Sequence, residues 1–418
     1  MTNSSVVQDS AIFFWPFRIL SWILGLVDNV VVLLRFVNGP KAPKFFKQGW
    51  DFEKMEKAFE AQDSLLQELS QPDGEYLSVK LDADDILWGD AQSNGGVSMR
   101  SASFVSPLAR LLPTESKNCH FLLVKPATTQ KTSTNTYIVM LPATGEMGKR
   151  ERLTMAKQLA IDKGWSSIIV TAPYYAKRKP SGQTRFFLPT VGDALVQSQA
   201  IVQEAASLIR YVLRKDDDDD DGTNTNIPAS PSNKVVVTGF SWGSAMSSLS
   251  ATTALLAGVD GKRLACVAYV GCASPEIFCN GVIENGVDWS ALLTTSDGAK
   301  KSAMIQGVDC SSLETPHIAQ KAMRDILAQV QLRTFVSALI EKDPSNQLAT
   351  VKMQCMYDDR IIPRVFSKEY LSQMQRLAEE LNFQLRWMPG GHVFGAMLRP
   401  ILKKRDIVEA VYKMEKDL

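Results

Sequence analysis

Short apolar runs alternate with amphipathic segments from about residue 120 to the end of the chain. Apolar runs bounded by turn residues predict strands, which span residues 121–124, 137–141, 167–170, 234–238, 264–271, 351–357 and 383–387. Apolar residues spaced by three and four predict helices, over residues 147–163, 201–212, 370–381 and 400–416. Because the strand runs are continuously apolar, the pattern predicts a mostly parallel sheet with helices on both faces.

Two regions depart from this alternation. Residues 275–345 contain a long helical stretch, which we expect to form a lid inserted over the carboxyl ends of the strands, where such sheets bind ligands. Before residue 101 the sequence predicts a basic helix over 41–57 and a polar loop over 82–95. We therefore divide the chain into an N-terminal hydrophobic and helical extension, residues 1–100, and an α/β domain with the lid, residues 101–418.

The most apolar stretch is residues 11–37, which Arg18, Asp28 and Arg35 interrupt. No uncharged run reaches the roughly 18–20 residues that a spanning helix needs. Aromatic residues beside Arg18 are typical of a helix lying at the headgroup level of a bilayer, and we predict such membrane contact. A helix packed on the domain is an alternative. A cleaved targeting segment is a third, although the first ten residues lack Lys and Arg. We expect a membrane-associated, intracellular protein, with the organelle left open.

Composition narrows the function classes. Hydrophobic residues make up 45% and charged residues 22% of the 418 positions, which is typical of a globular protein. A formal net charge of +1 provides no basic field, so nucleic-acid binding is not expected. The six cysteines and three histidines form no CxxC or HExxH pattern, so we predict buried free thiols, no metal site and no cofactor.

One pentapeptide carries candidate chemistry, Gly239-Phe240-Ser241-Trp242-Gly243. It follows a strand of three valines and precedes a helix-like run, which is the strand–turn–helix arrangement of the nucleophile elbow in α/β-hydrolases. There the serine hydroxyl stands at the edge of the sheet, and the glycines avoid collisions with neighbouring backbone. The sequence therefore predicts Ser241 as a nucleophile; the alternative is a Gly-Ser turn without a catalytic role.

A serine nucleophile needs a base and a carboxylate that orients the base. His392 follows the last predicted strand, as neither other histidine does. Asp358 and Asp359 follow the preceding strand, and we favour Asp359 because two residues separate it from Ile362-Pro363, a spacing common in hydrolases. The chain order Ser, Asp, His fits this fold. A solvated turn without catalytic aspartate is the alternative.

An oxyanion intermediate needs hydrogen-bond donors. One is expected from the backbone N–H of Trp242, the residue after the nucleophile. The second is expected from the loop over residues 142–146, where Pro142 has no N–H and where Ala143 or Thr144 is therefore the candidate. An ordinary strand-to-helix loop is the alternative for either residue.

A tyrosine-rich basic segment follows the strand over residues 167–170. Tyr174, Tyr175 and Arg178 would lie at the carboxyl edge of the sheet, where they are candidates for binding an anionic substrate headgroup. A solvated basic loop is the alternative.

Several motifs together resemble one known family, the eukaryotic α/β-hydrolase domain-containing protein 18 family, from about residue 30 to the C-terminus. They are Phe104-Val105-Ser106-Pro107, Ala143-Thr144-Gly145, Pro173-Tyr174-Tyr175 with Arg178-Lys179-Pro180, the elbow from Thr238 to Gly243, Asp359 with Pro363-Arg364, and Gly390-Gly391-His392. The chain departs from the family pattern at Trp242 and Ser244, where Met and a second Gly are usual, and in an inserted aspartate run.

The resemblance implies an α/β-hydrolase fold and a serine hydrolase acting on lipid-like esters. From the residues we likewise expect hydrolysis of an acyl ester through an acyl-Ser241 intermediate. The same three residues also suit a non-lipid ester, a thioester or a peptide. A catalytically silent scaffold that binds lipid or protein is the alternative from another class.

Overall fold

The computed structural model describes residues 15–36, 43–72, 74–127, 135–214, 226–272, 275–280, 283–294, 304–329 and 332–416. Its helices are α1 (Trp15–Phe36), α2 (Phe52–Ser70), α3 (Arg150–Lys163), α4 (Val191–Leu213), α5 (Trp242–Leu256), α6 (Pro316–Leu327), α7 (Leu332–Lys342), α8 (Arg364–Gln375) and α9 (His392–Lys416). Its strands are β1 (Leu87–Asn94), β2 (Val97–Val105), β3 (Asn118–Pro126), β4 (Thr136–Met140), β5 (Ser166–Thr171), β6 (Lys234–Phe240), β7 (Leu264–Tyr269), β8 (Met304–Ile305), β9 (Val308–Asp309), β10 (Thr350–Met356) and β11 (Phe383–Met388).

Nine of these strands form one sheet within the described residues, in the order β1-β2-β3-β5-β4-β6-β7-β10-β11. The pairs from β5 to β11 along this order are parallel, whereas β1, β2 and β3 pair antiparallel with one another and β3 with β5. This arrangement confirms the predicted mostly parallel sheet, with an antiparallel edge added on one side.

The central strands are buried on both faces, as their continuous apolar sequences predict. In β6, Val235 and Val237 pack into a core with α4 and α5, while Val236 packs into a second core with α3 and α9. Strands of an antiparallel sheet with one wet face would alternate apolar and polar residues instead. The carboxyl ends of the parallel strands β6, β10 and β11 meet at one edge of this sheet.

The N-terminal part of the chain joins the sheet earlier than the sequence predicts. Residues 82–95, predicted as a polar loop, contain the whole of β1, which forms an antiparallel hairpin with β2. The residues of β1 are almost all exposed, so its sequence lacks the apolar alternation that identifies a strand. The predicted boundary at residue 100 falls inside β2, and the extension is therefore continuous with the sheet.

Four predicted helices have clearly different bounds. The helix predicted over residues 201–212 is longer, because α4 begins at Val191. The basic helix over residues 41–57 is displaced, because residues 43–50 form a bridge and a turn and α2 begins at Phe52, after Asp51, whose side chain accepts from the backbone N–H of Lys54. Helix α8 ends at Gln375, before the predicted end at residue 381. Helix α9 begins at His392 instead of residue 400, with Pro400 inside it.

The predicted lid consists of short elements and two helices. Its described parts include three 3₁₀ turns, the β8–β9 hairpin, α6 and α7. The single helical stretch predicted near residues 319–340 is divided between α6 and α7. Ile277, Phe278, Leu327 and Phe335 from this insertion line the cavity described below.

Candidate active site

Ser241 occupies a strained turn between β6 and α5. Its backbone angles are φ 56° and ψ −123°, and its N–H donates to the carbonyl of Tyr269 at 2.8 Å. A non-glycine residue with positive φ costs roughly 1–3 kcal/mol, and such strain concentrates at functional sites. The turn gives the strand–turn–helix geometry that the elbow motif predicts.

The two glycines of the pentapeptide are explained by close backbone contacts. A Cβ atom on Gly239 would lie 2.0 Å from the carbonyl oxygen of Gly243. A Cβ on Gly243 would lie 2.5 Å from the carbonyl oxygen of Pro142, at the end of the sheet next to β4. Any side chain at these positions would therefore displace the turn that carries Ser241.

His392 and Asp359 are in direct contact. The Nδ1 atom of His392 lies 2.9 Å from Oδ2 of Asp359, and both side chains are buried. The other carboxylate oxygen of Asp359 accepts the backbone N–H groups of Ile361 at 2.9 Å and Ile362 at 2.6 Å. Asp358 has a different partner, since its Oδ2 accepts a hydrogen bond from Ser21.

The surroundings of His392 favour its charged form. Burial of the imidazole lowers its pKa, but the charge and hydrogen bond of Asp359 and the charge of Asp28 outweigh burial and raise the pKa above 6.5. The ring also packs against Phe240, with centroids 5.0 Å apart. An imidazolium formed at this position would be stabilised by two carboxylates.

The first helix brings unpredicted residues to this site. Asp28 of α1 is fully buried and accepts three backbone N–H groups, from Val393 at 2.8 Å, His392 at 2.8 Å and Arg360 at 3.1 Å. Ser21, two helical turns earlier, accepts the N–H of Gly390 at 2.8 Å. The inner face of α1 thus contacts both loops that carry the candidate acid and base.

A sequence signal for this contact exists. Ser21, Gly25 and Asp28 are spaced by four and three positions, which places them on one face of a helix. Gly25 allows the closest approach, because a Cβ there would lie 2.7 Å from the carbonyl oxygen of Asp358. A stripe of small and polar residues in an otherwise apolar helix indicates a face that docks on polar groups.

The loop after β4 is held by a buried ion pair. Glu146 accepts from Arg152 at 2.7 Å and from the backbone N–H of Ala143 at 3.2 Å. Arg152 also donates to the carbonyls of Met140 and Val170, each at 2.7 Å. The N–H of Ala143 is therefore already engaged, whereas the N–H of Trp242 belongs to the first residue of α5, where a helix offers it no acceptor.

All three predicted headgroup residues are buried, and two of them lie away from the cavity described below. Arg178 is fully buried in a two-pronged ion pair with Glu204, at 2.6 and 2.7 Å, and also donates to the carbonyls of Ser116 and Thr171. Tyr174 is buried and donates to Asp193 at 2.8 Å. The prediction of a headgroup site at Tyr174 and Arg178 is corrected, because both side chains bind buried acidic partners and neither lines the cavity.

Tyr175 has a different place. It lines the cavity, and its hydroxyl accepts the backbone N–H of Gly145 at 3.2 Å. Its ring lies 6.2 Å from the ring of Trp242. Tyr175 therefore supports the loop after β4 beside the cavity instead of presenting a group for an anion.

A cavity of about 440 Å³ connects these elements, a volume within the usual range of ligand pockets. Ser241 and His392 both line it, together with Ala143, Thr144 and Trp242. Most of the remaining wall is apolar and comes from α2, α4, α5 and the insertion, with residues such as Leu65, Leu195, Val202, Met246, Leu249, Leu327 and Phe335.

The outer face of α1 is apolar and exposed. Its large exposed side chains are Ile19, Leu20, Trp22, Ile23, Val27 and Val30, each 39–53% accessible. Of the helices in the described part of the chain, none has the length and apolarity needed to cross a bilayer. Residues 11–14 and 37 of the predicted membrane-contact segment lie outside the described residues.

Comparisons with known proteins give one family match and several solved structures of low sequence identity. Residues 43–413 match the family model described as "Alpha/beta hydrolase domain containing 18". Among solved structures, acetyl xylan esterase 1 from Thermoanaerobacterium sp. is 13% identical with a TM-score of 0.46, over 85% of this chain and 99% of that one. Esterase Est22 is 12% identical with a TM-score of 0.43, over 92% of this chain and 96% of that one. An acetyl xylan esterase from Paenibacillus sp. R4 is 12% identical with a TM-score of 0.44, over 85% and 95% of the two chains.

Proposed function

The chain belongs to the alpha/beta hydrolase domain containing 18 family, and from that premise we propose that it is a serine hydrolase that cleaves acyl esters through an acyl-Ser241 intermediate. The observation that carries the proposal is that Ser241 and His392 line one cavity while Asp359 holds Nδ1 of His392. A serine hydroxyl is a weak nucleophile until a neighbouring base removes its proton.

The proposed mechanism assigns one role to each group. His392 takes the proton of Ser241 as the hydroxyl attacks the ester carbonyl, and it later protonates the leaving alcohol. Asp359 holds the ring so that Nε2 is the basic nitrogen, and it stabilises the imidazolium. A water molecule, activated in the same way, then releases the acid from Ser241.

Backbone donors would stabilise the oxyanion. The N–H of Trp242 is one, since it opens α5 and lies next to the nucleophile. For the second, the engagement of the Ala143 N–H with Glu146 supports Thr144 over Ala143. The Glu146–Arg152 pair would keep the donor loop fixed during the reaction, which avoids reorganisation as charge develops.

The cavity wall supports an apolar acyl group as the part of the substrate that is bound. Side chains of α4, α5 and the insertion surround Ser241 with aliphatic and aromatic surface. The exposed apolar face of α1 supports a substrate that resides in a membrane, because α1 contacts the catalytic loops directly. We therefore propose a lipid-like ester as substrate and a membrane-associated enzyme.

A fluorophosphonate probe tests the serine mechanism. We expect it to modify Ser241, and Ser241→Ala to abolish both labelling and hydrolysis of a p-nitrophenyl acyl ester. The matched control is Ser250→Ala, whose hydroxyl donates to the carbonyl of Met246 within α5. A full-length wild type that is neither labelled nor active on esters would instead support the silent scaffold. Faster turnover of a thioester or peptide than of any acyl ester would contradict the substrate class.

A further inference from the structure

Asp28 is a buried carboxylate in α1, the first helix of the described residues. The surrounding sequence of α1 is mostly apolar, so a buried charge is unexpected there. Asp28 is 0% exposed and accepts three backbone N–H groups, two at Oδ2 and one at Oδ1. A buried ionised group is costly unless it is paired or hydrogen-bonded. The three donors all come from the two loops that carry Asp359 and His392.

The positions of those donors make Asp28 a bridge. Arg360 directly follows Asp359, and His392 and Val393 are the first two residues of α9. The first N–H groups of a helix have no acceptor within it, and a carboxylate there is stabilised by the helix dipole. Asp28 therefore caps α9 from another helix and ties its first residue to the loop after β10.

Ser21, two helical turns before Asp28 on the same face of α1, reinforces this connection. Its hydroxyl donates to Asp358 and accepts the N–H of Gly390, so it too joins the loop after β10 to the loop before α9. Helix α1 packs against α9 along this face. The two contacts together hold the loops in one arrangement.

We infer that Asp28 is a positioning residue of the active site, and that α1 is a required part of it: by capping α9 and bonding the Arg360 N–H, Asp28 sets the separation and orientation of His392 and Asp359. The inference rests on the proposed serine hydrolase. Helix α1 would then have a role in the active site in addition to membrane contact. A chain beginning near residue 40 would lose both the Asp28 cap on α9 and the apolar outer face of α1.

Loss of the cap that Asp28 provides should lower turnover and change the pKa of His392. A displacement of about 1 Å at a catalytic group can cost up to ~100-fold in rate. Asp28 does not line the described cavity, so the KM of a short ester should change little. The charged groups that act on His392 are Asp359, from the loop after β10, and Asp28, from α1. Removing the charge of Asp28 should therefore lower the pKa of His392.

The test is Asp28→Asn in the full-length chain, assayed on a soluble p-nitrophenyl ester. We expect kcat to fall by about 10- to 100-fold with KM within about twofold, and the acid limb of the kcat/KM profile to move to lower pH. An NMR titration of His392, assigned with His392→Ala among only three histidines, should show the same lowering. The matched control is Asp84→Asn, which removes an exposed carboxylate before β1.

A second variant disturbs the same contact from the other side. A Cβ on Gly391 would lie 2.3 Å from Oδ2 of Asp28, so Gly391→Ala should push the carboxylate off the loops. We expect its kcat to fall as in Asp28→Asn, and the double variant to fall no further than the worse single one, because both break one interaction.

Three outcomes would overturn the inference itself, and a fourth would overturn the proposed function. If Asp28→Asn and Gly391→Ala both keep wild-type kcat, or if their effects multiply in the double variant, the inference is overturned. An unshifted His392 titration with lowered kcat would also overturn it, because a purely structural role predicts that pattern. A wild type without fluorophosphonate labelling would overturn the proposed function first.

Discussion

His392 is held by Asp359 and not by Asp358, although the two aspartates are neighbours in the chain. The Nδ1–Oδ2 distance to Asp359 is 2.9 Å, and the second oxygen of Asp359 is fixed by the N–H groups of Ile361 and Ile362. Asp358 instead accepts from Ser21 of α1. The two neighbouring aspartates after β10 therefore have different roles. Asp359 orients the imidazole of His392, and Asp358 attaches α1.

This division predicts different effects of two similar substitutions. Asp359→Asn should lower kcat strongly, by as much as ~10⁴-fold, because an amide at this position favours the wrong imidazole tautomer. Asp358→Asn should have a much smaller effect, since an amide oxygen still accepts from Ser21. Steady-state kinetics on a soluble ester measures both. A larger loss at Asp358 than at Asp359 would reverse the assignment of the acid.

The raised pKa of His392 predicts the pH dependence of the enzyme. Burial lowers the pKa of His392, but Asp359 and Asp28 together raise it by more than burial lowers it. The pKa in the folded protein therefore lies above the usual value of 6.5. The base must be neutral to accept the proton of Ser241, so activity should fall as pH falls through a pKa above 6.5. The kcat/KM profile of the wild type measures this limb. In Asp359→Asn the acid limb of this profile should move to lower pH. A wild-type acid limb with its midpoint below pH 6.5 would contradict the prediction.

The central sheet, and the places of Ser241, Asp359 and His392 after its strands, could be predicted from sequence because both are encoded locally. The three valines of β6 are followed at once by the Gly239–Gly243 turn, so one short segment specifies strand, turn and nucleophile. Asp359 follows the buried strand β10, and His392 follows the half-buried strand β11, each within about four residues of the strand end. Strand β1 was missed for the converse reason, since its exposed and polar residues carry no buried-face pattern.

Long-range pairing is what local patterns did not specify. Asp28 is 364 positions from His392, and an acid in an apolar helix does not reveal what it caps. In the same way, Arg178 in a basic segment looked accessible because its partner, Glu204, lies in another helix. Asp28 and Arg178 are charged groups that are buried because their partners come from distant parts of the chain, and a local sequence pattern does not show those partners.

The buried position of Arg178 predicts a stability effect rather than a binding effect. Arg178→Met should lower the free energy of unfolding by about 3–5 kcal/mol, because Glu204 remains buried without its partner. Adding Glu204→Leu should recover much of the loss. Lys57→Met, which breaks the exposed pair with Glu53, is the control and should leave the free energy of unfolding nearly unchanged, because water screens an exposed ion pair. Denaturant unfolding measures all three.

An increase in KM for Arg178→Met at unchanged stability would contradict this account. It would show that the guanidinium contacts substrate after all. The KM of Arg178→Met should be measured with a short uncharged ester and, separately, with an anionic ester. A contact between Arg178 and an anionic headgroup would raise the KM of the anionic ester alone.

The two faces of α1 predict how membrane binding and catalysis are connected. The inner face, with Ser21 and Asp28, holds the catalytic loops, while Trp22 and Ile23 on the outer face are 53% and 49% exposed. An interfacial helix buries such an apolar face at the headgroup boundary of a bilayer. Trp22→Gln with Ile23→Gln should therefore weaken cosedimentation with vesicles of phosphatidylcholine and phosphatidylglycerol, and slow hydrolysis of esters embedded in them.

The matched control replaces exposed apolar residues elsewhere, Ile161→Gln with Leu381→Gln, which should leave vesicle binding unchanged. Melting temperatures should stay within a few degrees for both pairs, because the replaced side chains are not in the core. A chain beginning near residue 40 should lose vesicle binding and soluble-ester hydrolysis together, since it lacks Asp28 as well as the outer face. If the full-length protein ignores vesicles while the truncated chain is inactive, α1 serves the active site alone and the prediction of membrane contact is wrong.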